Sequence, residues 1–326
     1  MSQLEKIRKS ASKKNRRVLF PESELDIRVL NAASILFNEK LAHPVLIGDD
    51  VKIHELANQH GLNLPDQIDI YTMNSGNNEA EKFLFFKEKL AHKNPTDEEI
   101  HLMCENPLFT AGWLLQTGYA DCVVAGSVAS TSEVIISALR TVGVAKGSSL
   151  VSSSFLMEMP DGRVFTFADC AVVPYPDSGQ LASIALDSGR THQLLTESEP
   201  KIAFLSFSTK GSAKHDAVSH VQKAFDIARS KNSHWQMDGE LQFDTAVIPA
   251  IAERKAPDSN LKGDANVFIF PNLDAGNIAY KITERLGGAT ATGPILQGLK
   301  KPFMDLSRGC SIEDIVNTAC VSAVLS

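Results

Sequence analysis

Asp121-Cys122-Val123-Val124-Ala125-Gly126-Ser127-Val128-Ala129-Ser130-Thr131 changes character at its glycine. Residues 121–125 form a short apolar run, the pattern of a strand covered on both faces. It passes directly into small and hydroxyl-bearing residues, and then into a helical pattern over residues 133–142. Strand, small-residue loop and helix in immediate succession make up the repeating unit of a parallel α/β sheet. The alternation continues on both sides. Upstream, Arg17–Phe20 reads as a strand ended by Pro21, residues 27–37 as a helix, His43–Ile47 as a strand stopped by Gly48, and residues 106–118 as a helix. Downstream, residues 151–159 and 164–167 flank Pro160-Asp161-Gly162 and read as a β-hairpin. Residues 202–207 and 265–270 read as further strands, and 312–325 as a last helix with one apolar face.

A chain of 326 residues, 43% hydrophobic and 22% charged, suits two globular domains of ordinary size. No repeat, low-complexity tract or long linker separates them, so the expectation is two closely packed domains whose boundary is crossed more than once. The formal net charge of −7 counts against nucleic acid as a partner. A few local arginines can still serve a small anion. The opening MSQLEKIRKSASKKNRRVLF is basic without an apolar core segment, and reads as an amphipathic helix with Leu4 and Ile7 turned inward. No run approaches the ~18 apolar residues of a membrane span. The five cysteines, Cys104, Cys122, Cys170, Cys310 and Cys320, are scattered without metal-ligand spacing, which points to a reducing, cytoplasmic setting.

Ligands of open α/β sheets bind beyond the carboxyl ends of the strands. Three candidate strand ends carry small residues: Gly126-Ser127 with Thr131 close behind, residues 206–213, and residues 287–290. Such loops offer backbone N–H groups and hydroxyls to anions, or serve only as turns. None matches a nucleotide or dinucleotide loop. The most informative stretch is Asp305-Leu306-Ser307-Arg308-Gly309-Cys310-Ser311-Ile312-Glu313-Asp314-Ile315. Ser311 and Asp314 have the spacing of a capping box, which places Arg308 just ahead of a helix N-terminus, where guanidinium and free N–H groups can hold an oxyanion. Asp314 is then either a cap, which would make it a weaker base, or a base. Cys310 has no nearby histidine to activate it and reads as a small buried residue. Asp169, Asp238, Glu240 and Asp274 lack metal-ligand spacing and read as hydrogen-bonding groups, and His192 and His215 as structural or solvated.

Taken together, these stretches resemble the phosphate acetyltransferase (phosphotransacetylase) family. The matching segments are Asn106-Pro107-Leu108-Phe109, ADCVVAGSVAST (120–131), VSSSFLMEM (151–159), FADCAVVPYP (167–176), LSFSTKGSA (205–213) and DGELQFD (238–244). The longest is ANVFIFPNLDAGNIAYKITERLGGATATGPILQGLKKPFMDLSRGCSIEDI (265–315). The resemblance implies two α/β domains with mainly parallel sheets flanking a cleft, as in isocitrate and isopropylmalate dehydrogenases, in a homodimer. Residues 1–147 with 298–326 would form the first domain and 148–297 the inserted second.

The implied reaction is reversible acetyl transfer between acetyl-CoA and phosphate, with coenzyme A as a substrate, no tightly bound cofactor, no metal and no covalent acyl-enzyme. By correspondence, Asp314 is the base for the coenzyme A thiol. Ser307 and Arg308 bind the acyl phosphate and stabilise the transition state. Arg28, Ser127, Thr131 and Arg285 contribute to substrate binding. Two family arginines associated with coenzyme A correspond to Leu90 and Ile136, with Lys89, Lys93 and Arg140 as nearby substitutes. That departure keeps two alternatives in view: a transferase for a longer acyl chain, and a paralogue that binds acyl phosphate with impaired turnover. A decarboxylating dehydrogenase would require a nicotinamide site that the motifs do not offer.

Overall fold

Eleven strands order the described residues, 1–73 and 78–326, of the computed structural model. In chain order they are β1 (Arg17–Phe20), β2 (His43–Ile47), β3 (Asp69–Tyr71), β4 (Cys122–Ala125), β5 (Ser152–Glu158), β6 (Val164–Ala168), β7 (Lys201–Leu205), β8 (Gln236–Leu241), β9 (Val267–Ile269), β10 (Thr290–Gln297) and β11 (Phe303–Asp305). They form two sheets, and the chain divides into two units: residues 4–144 with 299–326, and residues 1–3 with 145–298. The first three residues group with the second unit because Gln3 donates its backbone N–H to Glu158 and its side-chain amide to the Leu195 carbonyl. The helix Gln3–Lys14 that follows turns Ile7 and Ala11 fully inward and leaves Leu4 half-buried.

In the first unit the strand order is β11-β4-β1-β2-β3, with every pairing parallel. From β1 the chain winds outward through β2 and β3, then returns to place β4 on the opposite side of β1. The β1/β4 boundary is therefore a topological switch point, where loops of opposite hand leave a crevice. The strands are short and wholly apolar inside because helices cover both faces. Phe86, Ile100, Leu115, Val134 and Phe303 pack with Val123 and Leu19 in one of these layers.

The second unit has the order β10-β5-β6-β9-β7-β8. β5 and β6 form the expected antiparallel hairpin, whereas β6, β9, β7 and β8 run parallel. Its longest helix, Ser178–Thr196, has 19 residues and is capped by Asp177 and Gln180. Cores cover this sheet too, one built around Phe204, Ile184 and Val221 and the other around Phe268, Phe167 and Leu241.

The loop leaving β4 tolerates little change. Gly126 has φ +102°, and a Cβ there would meet the Asp305 carboxylate and stand 2.7 and 2.8 Å from the backbone N and O of Leu306. Gly126→Ala is therefore expected to destabilise the protein by at least about 2 kcal/mol. Urea unfolding measures this, and an unchanged midpoint would contradict the close approach of the two loops.

Candidate active site

Because β11, β4 and β1 are neighbours in the sheet, the loops after Asp305, Ala125 and Phe20 emerge side by side. A buried glutamate joins two of them. The Glu22 carboxylate, 3% exposed, accepts the N–H groups of Gly126 (2.8 Å), Ser127 (2.8 Å), Val128 (3.1 Å) and Ala129 (2.7 Å), and the Ser127 hydroxyl (2.9 Å). The small-residue loop that reads as an anion site from sequence thus holds an anion of the protein's own. Ser127, expected to bind substrate, gives its hydroxyl to Glu22. Thr131, the first residue of the helix Thr131–Thr141, donates to Asp305 at 2.7 Å.

Arg28 ties the third loop in. Asp26 caps the helix Ile27–Asn38 and takes the Nε and one Nη2 hydrogen of Arg28; the other Nη2 hydrogen reaches the Ser127 carbonyl at 3.0 Å. Nη1 donates to the carbonyls of Arg308 (3.0 Å) and Cys310 (2.7 Å). All five guanidinium hydrogens therefore have protein acceptors. The bond to Asp26 raises the Arg28 pKa above its ordinary value. Burial works against the Asp26 carboxylate, but hydrogen bonds from Arg28 outweigh it and hold the group below its usual range.

The turn that Arg28 grips is closed by Cys310 N–H donating to the Ser307 carbonyl at 2.9 Å. Ser307, Arg308 and Gly309 are exposed on it. Cys310 is buried, and burial raises its thiol pKa, so it is a packing residue. The guanidinium of Arg308 makes no hydrogen bond or ion pair among the described residues. Its charge adds to the hydrogen bonds from Ser130 that keep the Glu133 carboxyl below its usual range.

The helix Ile312–Leu325 starts at Ser311 with the expected capping box. Asp314 accepts the N–H and hydroxyl of Ser311 at 2.8 Å each, both on Oδ2. Its Oδ1 accepts nothing among the described residues and the side chain is exposed. Cap and base are therefore compatible: one oxygen holds the helix start and the other remains available to a proton.

The acidic residues and histidines singled out from the sequence have partners within the protein. Asp169 accepts the Ser153 hydroxyl and the N–H groups of Ala171, Val172 and Val173. Asp238 pairs with Lys210, Asp274 accepts from Tyr175, and Glu240 holds Ser208, Gly211 and Gln222. No group of three or more His, Cys, Asp or Glu among the described residues could hold a metal ion. His192 is buried between Thr166 and Ser198, and burial lowers its pKa to about 4. His215 caps the helix Asp216–Lys231.

A Phosphate acetyl/butaryl transferase family model matches residues 2–323. The chain belongs to that family. It is 40% identical to a phosphate acetyltransferase of Acetivibrio thermocellus, over 99% of this chain and 98% of the relative. It is 42% identical to one of Staphylococcus aureus, over 96% and 95%. A phosphotransacetylase structure from Streptococcus pyogenes superposes with a TM-score of 0.93 at 39% identity, covering 99% of this chain and 97% of that one. The dehydrogenase likeness is one of fold: a 4-hydroxythreonine-4-phosphate dehydrogenase from Burkholderia phymatum gives a TM-score of 0.56 at 13% identity, over 95% and 98%.

Within this family member, Arg285 belongs to the second unit, at the end of the helix Leu273–Arg285, where it is 79% exposed and lies 3.4 Å from Glu284. Leu90 is 3% exposed and part of the core. Its neighbour Lys93 is exposed. Ile136 is 44% exposed on the helix Thr131–Thr141.

Sequence reasoning assigned no role to Glu22 or Asp305. The available signals were a carboxylate after Pro21 at a strand end and one just before the Ser307–Arg308 pair. Asp305 is 3% exposed; Oδ2 accepts from Thr131, and buried Oδ1 has no partner among the described residues. Burial, with a contribution from Glu22 and against the Thr131 hydrogen bond, pushes its carboxyl from 3.8 up to about 6. The folded state thus binds this proton more tightly than the unfolded chain. Stability from this group is fully present below pH 3.8 and lost as pH rises through about 6. Asp305→Asn removes that dependence. Its stability relative to the parent protein should climb by roughly 2–3 kcal/mol between pH 4 and pH 7. Urea unfolding across that range checks it, and a flat difference would show that Asp305 is not strained by charge.

Proposed function

We propose that this chain catalyses reversible acetyl transfer between acetyl-CoA and inorganic phosphate, with Ser307, Arg308 and Asp314 as its chemical groups. The observation that carries the assignment is the contrast between two arginines. Arg28 has every donor occupied, whereas Arg308 presents a guanidinium unpaired among the described residues, on a turn held from behind. In the direction of thioester synthesis, acetyl phosphate rests its phosphoryl group on Arg308 and Ser307. Asp314 Oδ1 takes the proton of the coenzyme A thiol, which like any alkyl thiol is mostly protonated at neutral pH, a free cysteine thiol having a pKa of ~8.5. The sulfur attacks the acetyl carbonyl and forms the C–S bond. Arg308 offsets the charge gathering on the carbonyl oxygen. Collapse of the tetrahedral species breaks the C–O bond and releases phosphate with its electron pair. The reverse sequence gives acetyl phosphate.

Arg285, Thr131 and Ser127 enter this reading as substrate-side contributors, with Ser127 and Thr131 acting through the loops they hold. Leu90 and Ile136 leave the coenzyme A phosphates to Lys93, Lys89 and Arg140. A longer acyl chain is the second reading, favoured by the exposed apolar side chains of Val128, Ile136 and Leu139 (44, 44 and 41%) around the same loop and helix. A paralogue with impaired turnover is the third. Five buried, unpaired cysteines support a cytoplasmic setting.

A homodimer is supported by Ile278, Ile282 and Leu286, which stand 57, 53 and 84% exposed at four-residue spacing, one face of a helix and its end.

Purified protein is expected to form thioester from acetyl phosphate and coenzyme A faster than from butyryl phosphate. Folded Arg308→Ala should lose roughly a hundredfold or more in kcat. Full turnover in that variant would remove Arg308 from the site. Binding of acetyl phosphate without turnover in the parent protein would favour the impaired paralogue. Ile282→Glu is expected to shift sedimentation from dimer to monomer, and an unchanged sedimentation coefficient would place any interface elsewhere.

A further inference from the structure

Glu22 stands where a parallel sheet ordinarily receives a ligand anion, at the switch point between β1 and β4. Its carboxylate takes four successive backbone N–H groups and a hydroxyl from residues 126–129. That many donors on one buried carboxylate leave no room for a phosphate at the same place. The loop so fixed presents the Ser127 carbonyl to Arg28, and Arg28 in turn holds the carbonyls of Arg308 and Cys310. The contacts therefore run without a gap from Glu22 through the loop and Arg28 to the Ser307–Cys310 turn. Nothing else among the described residues bonds to the Arg308 guanidinium, so its place depends on its own backbone.

We infer that Glu22 is a positioning residue for Arg308, acting through the 126–129 loop and Arg28, and that Arg28 serves in this relay and not as a substrate ligand. The inference rests on the proposed role of Arg308 in acyl transfer.

Glu22→Gln is nearly isosteric, but its amide nitrogen is a donor facing donors, so at least part of the N–H set loses its acceptor. Small misplacements of a reacting group are costly. The variant is expected to lose roughly tenfold to a hundredfold in kcat while both substrate KM values stay within about threefold. Ser127→Ala, which removes one hydrogen bond and leaves the carboxylate in place, should show the same pattern at roughly two- to fivefold. In an Arg308→Lys background, Glu22→Gln should cost much less than in the parent, because both changes act on one group.

Hydrogen exchange read by mass spectrometry supplies a measure independent of turnover. Peptides covering 126–130 and 306–311 should exchange faster in Glu22→Gln, with peptides of 145–298 unchanged. A tenfold rise in KM with kcat retained, equal losses in the two Arg308 backgrounds, or unchanged exchange at 306–311 would each overturn the inference. Should Glu22→Gln fail to fold, Ser127→Ala decides by the same criteria. If the parent protein forms no thioester, the acyl-transfer reading falls, and the exchange data alone settle whether Glu22 fixes the turn.

Discussion

A carboxylate removed from water must be fully hydrogen-bonded or it costs the fold several kcal/mol. Glu22 meets that requirement with the four N–H groups of residues 126–129 and the Ser127 hydroxyl, and much of the first unit follows from it. The loop needs a left-handed glycine at 126, because a chain that turns its amides inward this soon after β4 brings residue 126 against Asp305 and Leu306. Ser127 then points its carbonyl outward, towards Arg28. The neighbouring Asp305 bears the cost of burial with one oxygen unpaired among the described residues, to which the Glu22 carboxylate adds. That strain sits next to the turn that carries Arg308, where a deviation from ordinary packing rules is most often tolerated.

The second unit uses the same device. After β7, Ser208 and Gly211 direct a hydroxyl and an N–H to Glu240, which also accepts from Gln222; burial opposes its ionised form, yet these bonds keep the carboxyl below its usual range. Glycine- and serine-rich strand ends therefore have two physical uses that look alike in sequence. They can receive a diffusing anion, or they can satisfy a carboxylate the fold supplies. Where the second use prevails, the donors are spent. In the first unit Arg308, on the loop after the adjacent strand, keeps its guanidinium without a hydrogen bond among the described residues.

Most of the framework was legible because its signals are local. The apolar runs of β1, β2 and β4, the hairpin around Pro160–Gly162 and the Ser311–Asp314 cap each lie within a few residues. β3 and β11 have three residues apiece, as β9 does, but each includes an aspartate, whereas β9 lies in the longer apolar run 267–270. β10 contains Gly293 and Pro294; it is tolerated as a strand because it is at the edge of its sheet and its register shifts between Thr292 and Ile295. The same distinction governs the site. Ser307, Arg308 and Asp314 fall within one turn and one helix start, so their proximity was readable. Glu22 lies 104 to 107 residues from the loop it organises, and Asp305 lies 174 from Thr131. No spacing rule spans such distances, and only the strand order reveals them.

Arg28 and Arg308 show why residue type alone could not assign the roles. Both are arginines beside small-residue loops, and a resemblance to known transferases marks both as functional. A guanidinium with all five hydrogens bonded is a cross-link: its value lies in the loops it joins, and moving it towards a ligand would break several charge-assisted bonds at once. A guanidinium with none bonded has its donors free, but an exposed side chain samples many rotamers and loses that freedom when it clamps a substrate. Restraining the backbone beneath it lessens what remains to be ordered. One arginine thus restrains the turn that carries the other. The buried glutamate joins the same run of contacts, since the Ser127 residue it holds presents its carbonyl to Arg28.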